Sequence, residues 1–144
     1  MIIPLIAAVF LTLSPSIDMD FGYGRVVSEV GKPSSEITKL CIGARTDGNI
    51  YLKIAATLTA PTTLPASLGL QGELAVYDLW WQLGISRTPK RFVISYSFGW
   101  YVFGAELQLR ENKNGNDLVI FAKMSFSPLK IFDLLNNDKK NYIK

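Results

Sequence analysis

From Arg91 to Phe126 the chain alternates apolar and polar side chains with a period of two, and it carries an Asn114-Gly115 pair suited to the positive φ angles of a tight hairpin. No helix tolerates that period, because a helical face recurs every three to four residues. Tyr101, Phe103, Ala105, Leu107 and Leu109 share one face, with Val102, Gly104, Glu106, Gln108 and Arg110 on the other. Beyond the turn, Leu118, Ile120, Ala122, Met124 and Phe126 oppose Val119, Phe121, Lys123 and Ser125. The segment reads as an antiparallel meander whose first two strands meet at Gly99.

The same pattern extends upstream. Ile50, Leu52, Ile54, Ala56 and Leu58 alternate with Tyr51, Lys53, Ala55, Thr57 and Thr59 behind an Asp47-Gly48 turn. Leu68, Leu70, Leu74 and Val76 oppose Gln71, Glu73 and Ala75, and Leu79, Trp81, Leu83 and Ile85 oppose Trp80, Gln82 and Ser86. With weaker strands near 21–30 and 37–44, the expectation is an all-β fold: a roughly eight-stranded antiparallel barrel or sandwich. Ala60 to Ala66 contains two prolines and reads as an extended crossover, which favours the sandwich. Ser127-Pro128 is a good helix start, so a short C-terminal helix to about Leu135 is expected, followed by a polar tail.

The 144 residues suit one domain, divided here into an apolar N-terminal segment (1–16), the β domain (17–127), and the helix and tail (128–144). Ile2 to Leu13 is apolar and Ser14-Pro15-Ser16 offers small residues for a signal peptidase, yet the first cationic side chain is Arg25. A signal peptide and a packing arm explain the segment equally well. Localisation divides the same way, between the cell envelope or secretion if the segment is cleaved and a virion or other assembly if it is kept.

Missing residues exclude more than present ones establish. Without a histidine there is no Ser-His-Asp or Cys-His site and no His-containing zinc site, and the single Cys41 forms no intrachain disulfide. Its neighbours Leu40 and Ile42 point to an inert buried thiol. Asp18 and Asp20 offer oxygen ligands to calcium or magnesium, but two carboxylates are a weak metal signal. Glu73 and Glu106 are the only pair worth weighing as a carboxylate acid/base couple, and they meet only if a barrel turns the polar face inward. No catalytic residue, metal or cofactor is therefore assigned. A net charge of +3, from 15 basic and 12 acidic residues scattered along the chain, gives no nucleic-acid footprint.

Trp80, Trp81, Trp100 and Tyr101, and the cluster Arg87, Lys90 and Arg91 around Pro89, are the candidate partner or ligand contacts. Which face is buried decides among the function classes, and alternation alone does not say. The reading placed first is a non-enzymatic structural or assembly protein, such as a coat, virion or accessory subunit, forming a homo-oligomer or larger assembly through exposed apolar residues. A small envelope or outer-membrane β-barrel follows, its strand-end aromatics serving as girdles and its contact being with a membrane. A soluble barrel carrying an apolar ligand against Trp80 and Trp81 comes third, and a hydrolase using Glu73 and Glu106 last.

Overall fold

The computed structural model describes residues 2–4, 13–27, 34–113 and 115–128. Eight strands follow one another in chain order: β1 (Leu13–Val26), β2 (Ser35–Thr46), β3 (Ile50–Pro61), β4 (Ser67–Val76), β5 (Leu79–Arg87), β6 (Phe92–Trp100), β7 (Phe103–Asn112) and β8 (Gly115–Phe126). Each pairs antiparallel with the next, and β8 returns to β1, with Met19 opposite Phe126 and Val26 opposite Val119. The result is a closed up-and-down barrel. Closure pairs every strand on both sides, with Leu13–Asp18 of β1 running past the last pair with β8.

Two expectations about connections are corrected. Residues 62–66 do not cross between sheets; they join neighbours in one hairpin, where Leu58 opposes Leu68 and Thr59 opposes Ser67. The prolines there shape a loop that bends back over the barrel end, tied by the Thr62 amide to the Glu36 carbonyl (2.9 Å) and by the Glu36 amide to Thr62 Oγ1 (3.0 Å). The sandwich is excluded with the crossover. Gly99 is likewise not the β6–β7 turn. It lies within β6 opposite Gly104, and the chain reverses at Tyr101-Val102.

The two ends of the barrel differ. At one end lie the start of β1, the end of β8 and three tight turns, at 47–49, 77–78 and 101–102. Tyr77 (φ 55°) and Tyr101 (φ 56°) take up the left-handed conformation that two-residue hairpins of this hand require. These turns are stitched together around the rim: Tyr77 N–H donates to the Asn49 carbonyl (2.7 Å), Tyr101 N–H to the Asp78 carbonyl (2.7 Å) and Ser125 N–H to the Val102 carbonyl (2.8 Å). The other end carries the connections 27–34, 62–66, 88–91 and 113–114.

The first strands run longer than expected. β1 begins at Leu13 and passes through the boundary drawn between residues 16 and 17, with Ser14 paired to Arg45 and Ser16 to Gly43. Residues 2–4 are helical and exposed. The expected C-terminal helix over 129–135 lies outside the described residues.

Candidate functional site: an ionic lumen

Strand alternation sorts the side chains in the sense opposite to a water-soluble barrel. Outward positions carry Leu52, Ile54, Leu58, Leu68, Leu70, Leu83, Ile85, Ile94 and their neighbours, all substantially exposed, whereas the inward positions are buried and mostly polar. Among the described strand residues only Arg25, Glu36, Arg87 and Glu111 place a charge on the outside, and all four sit at the loop end.

The lumen holds four buried carboxylates, Asp18, Asp20, Glu73 and Glu106, and four buried cations, Lys39, Lys53, Arg110 and Lys123. Charges removed from water are tolerated only when paired and hydrogen-bonded, and the strand positions supply partners in successive tiers. Nearest the turns, Lys53 Nζ contacts Asp18 Oδ2 and Glu73 Oε2 (3.0 Å for the latter). Tyr51 Oη donates to Glu73 Oε1 (2.7 Å), and Ser16 Oγ to Asp18 Oδ2 (3.0 Å). Gln82 links this tier to the next, its Nε2 donating to Glu73 and its Oε1 accepting from Lys123 Nζ (2.7 Å).

Lys123 is the hub of the barrel. Besides Gln82, its ammonium contacts Asp20 Oδ2 (3.0 Å), Glu106 Oε2 (3.1 Å) and Ser97 Oγ (3.2 Å), and it stands 5.0 Å from the centroid of the Trp80 ring. Glu106 also accepts from Lys39 Nζ (2.7 Å) and from Gln108 Nε2 (2.6 Å). Arg110 continues the chain through Nε to Gln108 Oε1 (2.9 Å) and through Nη1 to the Pro65 carbonyl (3.2 Å). Beyond it the lumen turns apolar: Val26, Ile37, Val119 and Phe121 form a buried cluster against which Leu64 of the β3–β4 loop packs. At eight strands a barrel interior is just wide enough for side chains to fill, and these residues fill most of it.

A cavity of about 280 Å³ remains at the turn end, lined by Asp18, Arg45, Tyr51, Lys53, Trp80 and Tyr101 among others. The Arg45 guanidinium lies over the Tyr51 ring at 4.6 Å. The carboxylates reaching this cavity are already held by Lys53, Tyr51 and Gln82.

The seven side chains singled out as contacts do not converge. Trp80 points into the lumen, only 6% exposed, its ring packed on Gly99 and Gly104 and its Nε1–H donating to the Tyr101 carbonyl (2.9 Å). Trp81, next in sequence, points outward at 37% exposure, so the two tryptophans cannot line one cavity together. Trp100 and Tyr101 are exposed at the turn end, while Arg87, Lys90 and Arg91 lie at the opposite end. Arg91 is anchored there, with Nη1 on the Glu111 carbonyl (3.3 Å). Glu73 and Glu106 do share the lumen, as a barrel allows, but each is clamped by lysine. Asp18 and Asp20 likewise face Lys53 and Lys123, and the described residues contain no group of three or more acidic or thiol side chains placed to hold a metal ion. Cys41 points inward and is buried.

The lumen lysines Lys39, Lys53 and Lys123 were not singled out from the sequence. Their signal was the composition of the polar phase, which carries charges of both signs distributed over six of the eight strands, while the apolar phase carries large side chains and no charge along the strand centres. In comparisons with known proteins, no family model, curated protein or solved structure matches this chain.

Proposed function

We propose that this chain is a small membrane-embedded β-barrel of the outer-membrane type, non-enzymatic, with a lumen plugged by its own side chains. The observation that carries the reading is the inverted sorting of the strands: an ion-paired interior inside a wall whose outward positions are apolar on all eight strands. A protein partner covers one patch of a surface, whereas an apolar belt around the whole circumference matches a solvent that surrounds the molecule. Hydrocarbon is such a solvent, and closed barrels meet its demand that every backbone polar group be satisfied internally.

Dimensions agree. Strands of 9 to 14 residues, rising about 3.3 Å per residue at a tilt of roughly 40°, span about 23–35 Å, a range that brackets the ~25 Å apolar band of such barrels. Exposed aromatics gather toward the turn end, at Tyr77, Trp81, Phe98, Trp100, Tyr101 and Phe103, where an interfacial girdle would sit. By the usual asymmetry of these barrels, the short turns face the periplasm and the loop end faces outward.

The assembly reading rests on the same exposed apolar residues but does not account for the all-round belt. The carrier reading gains no support from a lumen lined with ion pairs. Extraction with detergent after an alkaline carbonate wash, followed by electrophoresis with and without boiling in dodecyl sulfate, tests the proposal. Retention in the membrane pellet and a mobility that changes on boiling are expected. A carbonate-released oligomer that is monodisperse without detergent would overturn it in favour of an assembly protein.

A further inference from the structure

We infer that the outer wall at the loop end carries a site for an anionic phospholipid, with Arg87 holding the headgroup. The inference rests on the membrane reading above and adds a specific ligand to it.

Pairing in register places four outward residues in one row across β3 to β6: Leu58 opposite Leu68, Leu68 opposite Arg87, and Arg87 opposite Phe92. Arg87 is thus a cation set into an apolar wall, at the last position of β5, where the belt meets the rim. A surface groove lies beside it, lined by Leu58, Ala66, Leu68, Arg87 and Pro89 among others. On the opposite side the Arg87 guanidinium stands 5.5 Å from the centroid of the Phe92 ring. That contact orients the planar group without consuming its charge.

Among the described residues no carboxylate lies within ion-pair distance of Arg87. The contrast with the lumen is sharp, because there every lysine is neutralised at contact distance. Lys90 adds a second exposed cation in the adjoining loop. The nearby Glu111 carboxylate is turned to the Phe92 amide, which donates to its Oε2 (3.2 Å). A guanidinium presents a fork of donors that fits phosphate, and acyl chains can lie along Leu58 and Leu68 in the groove beside it. A free anion would use only the cation, whereas a lipid uses the cation and the groove together.

The test uses the full-length barrel in two kinds of vesicle, phosphatidylcholine alone and phosphatidylcholine mixed with phosphatidylglycerol, with native mass spectrometry of the lipid that remains bound after extraction. The wild-type barrel should retain phosphatidylglycerol in preference to phosphatidylcholine. Arg87→Gln should cut that preference about fivefold, the value of one basic side chain near an anionic lipid surface. Leu68→Ser should weaken retention with Arg87 intact. Arg25→Gln removes an outward rim cation from β1, away from the groove, and should leave the preference unchanged.

Equal losses for Arg25→Gln and Arg87→Gln would overturn the site in favour of diffuse rim charge. Displacement of the lipid by millimolar inorganic phosphate would overturn the lipid assignment. Wild-type barrel that folds in phosphatidylcholine and shows no headgroup preference would sink this inference alone, whereas failure to enter either vesicle would sink the membrane reading beneath it.

Discussion

The lumen is closed twice, by different physics. Toward the turns it is filled by an ionic lattice centred on Lys123 and Glu106; toward the loops it is filled by Val26, Ile37, Val119 and Phe121, with Leu64 laid against them. The ionic part is a chain of dependencies, since each charge is stable only while its partner is present. The apolar part is a volume-filling problem, in which a smaller side chain costs roughly in proportion to the empty space it leaves. One consequence is asymmetric tolerance: the turn half should respond to single substitutions far more sharply than to matched multiple ones, and the loop half should respond nearly additively.

Lys123→Met should have the largest effect, because it strands Asp20 in a buried site and leaves Glu106 with Lys39 alone. Breaking a buried pair from one side costs about 3–5 kcal/mol. Urea titration of the barrel folded in vesicles, followed by tryptophan fluorescence, measures the loss. Adding Asp20→Asn to the same chain should return most of it, since Glu106 keeps Lys39 as its partner and no buried charge is then left uncompensated. A double variant no more stable than Lys123→Met would show that the lattice does not act as a paired unit.

Next in size is a substitution on the outer wall. Leu83 faces outward on β5, 64% exposed, at the centre of its strand. Leu83→Lys should cost about 2–4 kcal/mol if hydrocarbon surrounds it, and within about 0.5 kcal/mol of nothing if water does. The same urea titration separates the two. This variant is therefore the sharpest stability test of what covers the belt, and it leaves the lumen untouched.

Much of this architecture was legible in the chain. The period of two in 50–59 and 101–126 fixes the strands, and the side-chain parity read there is the parity found, with Glu106, Gln108 and Arg110 on one face and Leu107 and Leu109 on the other. Barrel or sandwich was not legible, because residues 62–66 look alike whether they leave the sheet or fold over its end. Leu64 decides between the two by packing against the buried cluster that contains Phe121, across more than fifty residues of sequence, which no local pattern encodes. Gly99 misled for a related reason. Its missing side chain marks room for the Trp80 ring, not a turn, while Tyr101, a residue without turn propensity, takes the left-handed conformation because the rim hydrogen bonds hold it there. Which face is buried is a property of the surroundings, so the lysines of the polar phase could be read as a solvated surface until the closed barrel placed them inside.

Phe121→Leu, in the apolar plug, should cost less than either Lys123→Met or Leu83→Lys, roughly 1–2 kcal/mol, because leucine refills part of the ring's volume and no charge is left unpaired. Phe121 is fully buried, yet no polar group depends on it, and Leu64 sits on a loop that can settle into the space released. Leu64→Ala, made separately, should cost about 1 kcal/mol for a half-buried leucine. The two losses should come close to summing in the double variant, with a surplus no larger than their direct packing explains. A loss for Phe121→Leu as large as that for Lys123→Met would mean that the plug holds the ionic lattice in register from above. The two halves of the lumen would then be one cooperative structure closed by the β3–β4 loop, and that loop would be the place to look for whatever opens it.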